Sequence, residues 1–247
     1  EPQLLACLKS KLRMQGEDHG LLAKALERIG SEKSLGYLTG LAQHRMEALW
    51  ALGEIGGPRA ETALLKALQK FGARRCDAMI NLDRLKSGKC RPMIPMLLQA
   101  FGLVTFRSQP DELHRPPHVR QRAAANLILR TGQADKLADL ILAEVEGKRD
   151  DAKTPADLRA PLAAMREELK PGFVRKDGQT VAQPLAALPH ITRDKRFTPR
   201  LIALMDHKAF LVRIYAATTL GALKDPRGVQ KIVQVIRQPY GFVDATT

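Results

Sequence analysis

The chain is predicted to be an all-α protein whose antiparallel helix pairs stack into an α-solenoid, with one small β-hairpin inserted near 173–182. Three observations support this fold class. Aromatic residues make up only 4% of the 247 residues, as expected where small and aliphatic side chains let helices pack closely. A helical pattern recurs along the chain, and turn residues follow most of its copies. Because one helix pair cannot cover its own apolar face, recurring pairs are expected to stack.

The recurring pattern has a fixed frame that begins with an arginine. After Arg45, Arg120 and Arg213, alanine follows at the third position and leucine at the seventh. Positions three and seven share one helix face, so a small residue and a leucine form its buried stripe. A turn residue follows six positions after the leucine, and a second apolar pattern comes next. These turn residues are Pro58, Gln133 and Pro226.

Two weaker copies extend the series. Arg75 begins one of them, 30 residues after Arg45, with Ala78 and Leu82 in the frame. A degenerate copy starts near His19. We therefore expect one domain over 1–247, in which the frame cannot be read between 147 and 200. The repeats are predicted near 19–42, 45–68, 75–101, 119–145 and 212–236.

The stretch VRIYAATTLGALKDPRGV, which begins at Val212, resembles the HEAT-repeat family. The similarity is greatest to the short subtype first noted in phycobilisome-lyase subunits. The resemblance covers roughly two thirds of the chain and implies a superhelix of stacked helix pairs. It does not select a function, because this fold hosts many unrelated activities.

Two segments interrupt the repeats. The insertion VTFRSQPDELHRPPH, residues 104–118, contains prolines that predict an extended loop. In the second segment, Thr154 and Pro155 are expected to start a helix that contains Pro161. The sequences FVRK and QTVA then flank Asp177-Gly178, a dipeptide suited to a tight hairpin turn. An irregular loop between two helices is the alternative to this hairpin.

The sequence contains no recognisable catalytic or metal-binding motif. Its six histidines are scattered, and none is followed by Glu. The HEAT-like deoxyhypusine hydroxylases hold their di-iron site with His-Glu pairs, so the sequence does not favour that activity. Its three cysteines lack metal-site spacing and are expected to be reduced thiols, which favours the cytoplasm. No signal peptide is visible, but the chain lacks an initiating Met, so a removed segment before Glu1 and a secreted or periplasmic origin stay open. We expect no cofactor, and the sequence favours a non-enzymatic protein.

The charge is the strongest functional signal. A net charge of +14 and an isoelectric point of about 10.0 favour an anionic partner. Between 193 and 237, ten Lys or Arg stand against three Asp. The frame arginines are expected to support packing between repeats, so basic residues outside the frame are the candidates. The predicted partner-binding residues are Arg175, Lys176, Arg193, Lys195, Arg196, Arg200, Lys231 and Arg237.

Three functions fit these observations. The first is a scaffold whose concave, basic surface binds an acidic partner protein. The second is sequence-nonspecific binding of DNA or RNA through phosphates, since the chain resembles the HEAT-like DNA alkylation-repair family. Base-excising members of that family use groove aromatics, whereas Trp50, the single tryptophan, is expected in the core. The third is a bilin lyase-type subunit, as the name of the repeat subtype implies. The oligomeric state is open.

Overall fold

In the computed structural model of the chain, every regular element among the described residues is helical, as the sequence predicts. The described residues are 24–26, 28, 30–42, 46–70, 75–101, 116–148, 150, 152–170, 183–226, 229 and 233. No strand occurs in these ranges. The predicted hairpin at 173–182 lies outside them, so it stays a prediction.

The chain divides into two compact units. The N-terminal unit contains residues 1–100 and 106–131, and the C-terminal unit contains residues 101–105 and 132–247. The described α-helices of the N-terminal unit are α1 (Leu35–Leu41), α2 (Met46–Ile55), α3 (Gly57–Lys70), α4 (Arg75–Arg84), α5 (Ile94–Leu98) and α6 (Pro117–Arg130). Those of the C-terminal unit are α7 (Ala134–Val145), α8 (Ala156–Glu168), α9 (Gln183–Ile191), α10 (Thr198–Leu204) and α11 (Phe210–Ala222). Short 3-10 helices span Glu32–Ser34, Arg91–Met93, Gln99–Phe101 and Lys195–Phe197.

The first helices of successive repeats pack side by side in the N-terminal unit. Helix α4 packs against both α2 and α6, and α3 packs against both α2 and α4. The frame leucines Leu52, Leu82 and Leu127 are all fully buried. The alanine at the third frame position is also buried in each of these helices. The periodicity therefore identified the core-facing stripe correctly.

A close contact between α2 and α4 explains a frame glycine. A Cβ atom added to Gly53 would lie 2.1 Å from Oδ1 of Asn81, so no larger residue fits without movement. Asn81 is itself fully buried, and its Nδ2 donates to the carbonyl oxygen of Asp77 at 3.0 Å. Gly221 occupies the same frame position in α11, but an added Cβ there would meet nothing within 4 Å.

Helices α8 and α9 of the C-terminal unit lie in the segment 147–200, in which the frame could not be read. Helix α9 packs against α7, α8 and α11, and α10 packs against α11. Two hidden copies of the frame account for this packing: one starts at Pro155 and the other at Pro184, at 29-residue steps that end on Arg213. Leu158 and Ala187 fill the third frame position of these copies, and both are buried.

Proline at the first frame position accounts for the lost pattern. Pro155 directly precedes α8. Amide groups at the start of a helix have no acceptor within the helix, so proline, which lacks an N–H, is tolerated there. As predicted, a helix follows Pro155 and contains Pro161. The 104–118 insertion lies outside the described residues up to 115, and Pro117 starts α6.

Three first helices end in the same backbone conformation. Gly56, Lys86 and Lys224 lie eleven residues after Arg45, Arg75 and Arg213, and their φ angles are +68°, +55° and +51°. After Lys86 the amide of Ser87 donates back to the carbonyl of Leu82 at 3.0 Å, which closes a left-handed helix cap. Glycine adopts this conformation readily, whereas lysine adopts it at a cost of about 1 kcal/mol.

Candidate partner-binding surface

The eight predicted partner-binding residues divide into two sets. Four of them fall outside the described residues: Arg175, Lys176, Lys231 and Arg237. The other four, Arg193, Lys195, Arg196 and Arg200, lie between the end of α9 and the first turns of α10. We call residues 192–197 the α9–α10 loop.

The α9–α10 loop is held by its own side chains. Asp194 Oδ1 accepts from the amide of Arg196 at 2.8 Å and so caps the 3-10 helix Lys195–Phe197. Phe197 is buried at 2% exposure and anchors the loop to the core. The loop therefore has a defined conformation that presents its basic residues from a fixed base.

Among the four described candidates, Arg193 and Lys195 are the two whose charge is available. Both side chains belong to exposed residues. Arg193 Nη1 donates to the carbonyl oxygen of Thr192 at 3.0 Å, which orients the guanidinium without neutralising it. Within the described ranges, neither residue forms an ion pair with a carboxylate.

Arg196 is exposed but already has a charged neighbour. Its Nε lies 3.1 Å from Asp194 Oδ2, and its guanidinium stands 4.8 Å from the centre of the Phe197 ring. An exposed ion pair of this kind contributes about 0.2–1 kcal/mol, so a ligand carboxylate could compete with Asp194.

Arg200 on α10 is committed to contacts within the protein. Its Nε and Nη2 donate to the two carboxylate oxygens of Glu146 at 2.7 and 3.2 Å. Its Nη1 also pairs with Asp139. Only 27% of its side chain is exposed, and two carboxylates neutralise its charge. Arg200 is therefore the weakest of the four described candidates.

A second basic turn lies against the α9–α10 loop. The hydroxyl of Thr198 donates to Asp225 Oδ2 at 2.9 Å, and both residues are buried. Because Thr198 directly follows the loop and Asp225 belongs to the turn after α11, this bond joins segments of two successive repeats. We call the α9–α10 loop together with residues 223–225 the turn edge. It adds the exposed residue Lys224 to the site.

The sequence carried a signal for Lys224 that was missed. Lys195 and Lys224 lie eleven residues after Pro184 and Arg213, so they hold the same position in the frame. Recognising this equivalence requires the hidden copy at Pro184, which the arginine-based frame did not reveal.

The frame arginines that can be described serve the fold. Arg120 is buried, and its Nε donates to the carbonyl oxygen of Ala100 at 3.1 Å. Arg213 Nη1 donates to the carbonyl oxygens of His207 and Lys208 at 2.9 and 3.1 Å. Both arginines thus fix the segment that precedes their own helix. Arg45 lies outside the described residues.

The metal-ligating residue types and Trp50 are the other candidates for chemistry. In the part of the chain that the structure describes, no group of three His, Cys, Asp or Glu residues could hold a metal ion. Trp50 is half-buried, with the guanidinium of Arg84 at 5.3 Å from its ring centre, so it belongs to the helix packing only in part. Among the described helices, none is long and apolar enough to cross a membrane.

Comparison with known proteins agrees with this repeat organisation. No curated protein matches the chain. The family model described as PBS lyase HEAT-like repeat matches residues 45–70 and 212–238, which include α2, α3 and most of α11. The chain therefore contains HEAT-like repeats of the PBS lyase type at two places.

Proposed function

We propose that the protein is a non-enzymatic scaffold that binds an acidic segment of a partner protein through a basic surface. HEAT-like repeats are typical of protein-interaction scaffolds. In this proposal residues 1–247 form a single solenoid with a concave basic surface, and the protein works in the cytoplasm. The buried cysteines Cys76 and Cys90 fit a reducing compartment.

The observation that carries the proposal is the state of Arg193 and Lys195. Both residues are exposed on a loop that Asp194 and Phe197 hold in place, and neither pairs with a carboxylate of the described residues. A solvated surface would ordinarily mix signs of charge, whereas here the local carboxylate is already engaged by Arg196. A preorganised pair of cations loses little conformational freedom on binding, and this favours affinity for an acidic ligand.

The proposal is tested with a labelled oligoglutamate peptide. The variant Arg193→Glu/Lys195→Glu should weaken peptide binding by about tenfold or more, since two attractions of about 0.5 kcal/mol become repulsions of similar size. Lys136→Glu/Lys153→Glu is the matched control, because it changes the net charge equally at exposed positions outside the turn edge. Equal weakening by both variants would show that only net charge matters, and the proposed site would be wrong.

Phosphate binding to nucleic acid is the second candidate, and the net charge of +14 favours it. Random-sequence duplex DNA is the appropriate probe. If phosphates are the ligand, the logarithm of the affinity should fall linearly with the logarithm of salt concentration, by about one unit for each phosphate contacted. Tighter binding of DNA than of oligoglutamate at equal salt would replace the scaffold proposal.

A bilin lyase-type activity would rest on the resemblance of the repeats alone. Transfer of a bilin to an apo-phycobiliprotein, measured by absorbance with and without a second subunit, tests it directly. Transfer by this chain would contradict a purely structural role.

A further inference from the structure

Apart from Arg196, which is paired with Asp194, the turn edge carries three exposed cations from two successive repeats. Arg193 and Lys195 come from the α9–α10 loop, and Lys224 comes from the turn after α11. None of the three forms an ion pair with another described residue. The hydrogen bond between Thr198 and Asp225 joins the two segments that carry these three cations.

The carboxylates at the turn edge are both engaged. Asp194 accepts from the amide of Arg196 and pairs with its guanidinium. Asp225 is 5% exposed and accepts from Thr198. Neither acid is therefore available to neutralise the three cations, and an incoming anion would meet no unpaired carboxylate from these two positions.

The N-terminal unit contains a turn with the same backbone but balanced charge. Lys86 has the frame position and the left-handed conformation of Lys224. Three basic side chains around Lys86 are paired with acids. The pairs are Arg84 with Glu54, Lys89 with Glu61 and Arg130 with Asp83. An uncompensated cluster is thus not a general property of these turns.

We infer that the turn edge binds an extended acidic segment of a partner protein that crosses both repeats, with Lys224 as a contact in addition to Arg193 and Lys195. This inference rests on the proposed function and names the form of its ligand. Neighbouring helices are about 8–10 Å apart, which sets the approximate step from the Lys195 turn to the Lys224 turn. An extended chain in the polyproline II conformation covers this distance in about three residues at roughly 3.1 Å each, and every third side chain lies on the same face. Acidic residues three positions apart would therefore reach the two lysines.

A protein segment fits this surface better than a nucleic acid strand. The described cations occupy two short turns, and Arg200, in the first turn of the helix that follows the loop, is neutralised by Glu146 and Asp139. A polyphosphate backbone is best matched by a continuous row of positive charge, which the described part of this edge does not supply.

The test compares two labelled peptides of equal composition on the full chain. In one, pairs of glutamates stand three positions apart in a Gly/Ser background; in the other, the same glutamates are adjacent. Lys195→Gln and Lys224→Gln should each weaken binding of the spaced peptide about two- to fivefold, the range for loss of one exposed ion pair. The spaced peptide should also bind more tightly than the adjacent one.

Lys86→Gln is the matched control for Lys224→Gln, since both substitutions keep a non-glycine residue at a left-handed helix end. We expect it to leave binding unchanged. If Lys224→Gln has no more effect than Lys86→Gln while Lys195→Gln weakens binding, the two-repeat edge is wrong and the proposed function survives. If none of the variants affects peptide binding, both the inference and the proposed function fail. Preference for the adjacent peptide would overturn the extended mode, and preference for duplex DNA would overturn the ligand class.

Discussion

Replacing Gly53 by alanine should destabilise the protein, whereas the same change at Gly221 should stabilise it. The two glycines share one frame position and lie in helices α2 and α11. At Gly221 the new methyl group meets nothing within 4 Å, so the higher helix propensity of alanine should add up to about 1 kcal/mol. At Gly53 the same propensity gain competes with a steric clash.

The size of that clash follows from three distances. The added Cβ would lie 2.1, 2.6 and 2.9 Å from Oδ1, Cγ and Cβ of Asn81. Because the Cβ of Asn81 is itself too close, rotation of its side chain cannot relieve the contact, and α4 must move away from α2. Overpacking of this kind costs about 1–3 kcal/mol, so a net loss of about 0.5–2 kcal/mol is expected after the propensity gain.

Urea denaturation followed by circular dichroism measures both changes, and unchanged m values would validate the comparison. In an Asn81→Gly background the clash is removed, so Gly53→Ala should become neutral or stabilising. This reversal is a coupling between two neighbouring residues. Stabilisation by Gly53→Ala in the wild-type background, equal to that of Gly221→Ala, would refute the packing argument.

Three further changes test other contacts. Thr198→Val removes a hydrogen bond to the buried carboxylate of Asp225. It should lower the free energy of unfolding, measured by urea titration, by about 1.5–3 kcal/mol. A loss below about 0.5 kcal/mol would contradict a stabilising role for this hydrogen bond. Lys86→Gly removes the backbone strain of a non-glycine residue with positive φ and should stabilise the protein by about 0.5–1 kcal/mol. The melting temperature should therefore rise, and a lower melting temperature would contradict the presence of strain at Lys86. Burial raises the pKa of Glu61, but hydrogen bonds, chiefly from Lys89, outweigh it and hold this pKa below its usual range. Glu61 should therefore add to the free energy of unfolding at neutral pH, and this contribution should be lost as the pH falls below about 4.3. Glu61→Gln should then reduce the decrease in the free energy of unfolding between neutral and acid pH. An equal decrease in the two proteins would contradict this.

The helical repeats were predictable because their frame is local. The alanine and leucine positions around Arg120 follow from the period of one helix, and the structure buries them as expected. The copies at Pro155 and Pro184 were not predicted, because proline replaces the arginine that defines the first position of the frame. Their leucine and alanine still occupy the third frame position, so a search on apolar spacing alone could have found them.

The candidate site was predictable only as a basic segment. Arg200 looks equivalent to Arg193 in the sequence, yet its partners Glu146 and Asp139 are 54 and 61 residues away. No local pattern predicts pairing over such separations, because it depends on how helices pack. The contact between Thr198 and Asp225 is of the same kind, and it is what brings Lys224 into the site.

Two described ion pairs between successive first helices of the N-terminal unit have the same direction. Glu54 on α2 pairs with Arg84 on α4, and Asp83 on α4 pairs with Arg130 on α6, so in both pairs the acid comes from the earlier helix. Each of these contacts is heterologous, because the earlier helix supplies the acid and the later helix supplies the base. An additional first helix that continued this pattern could join the row in only one orientation, with its basic face towards the acid of the helix before it.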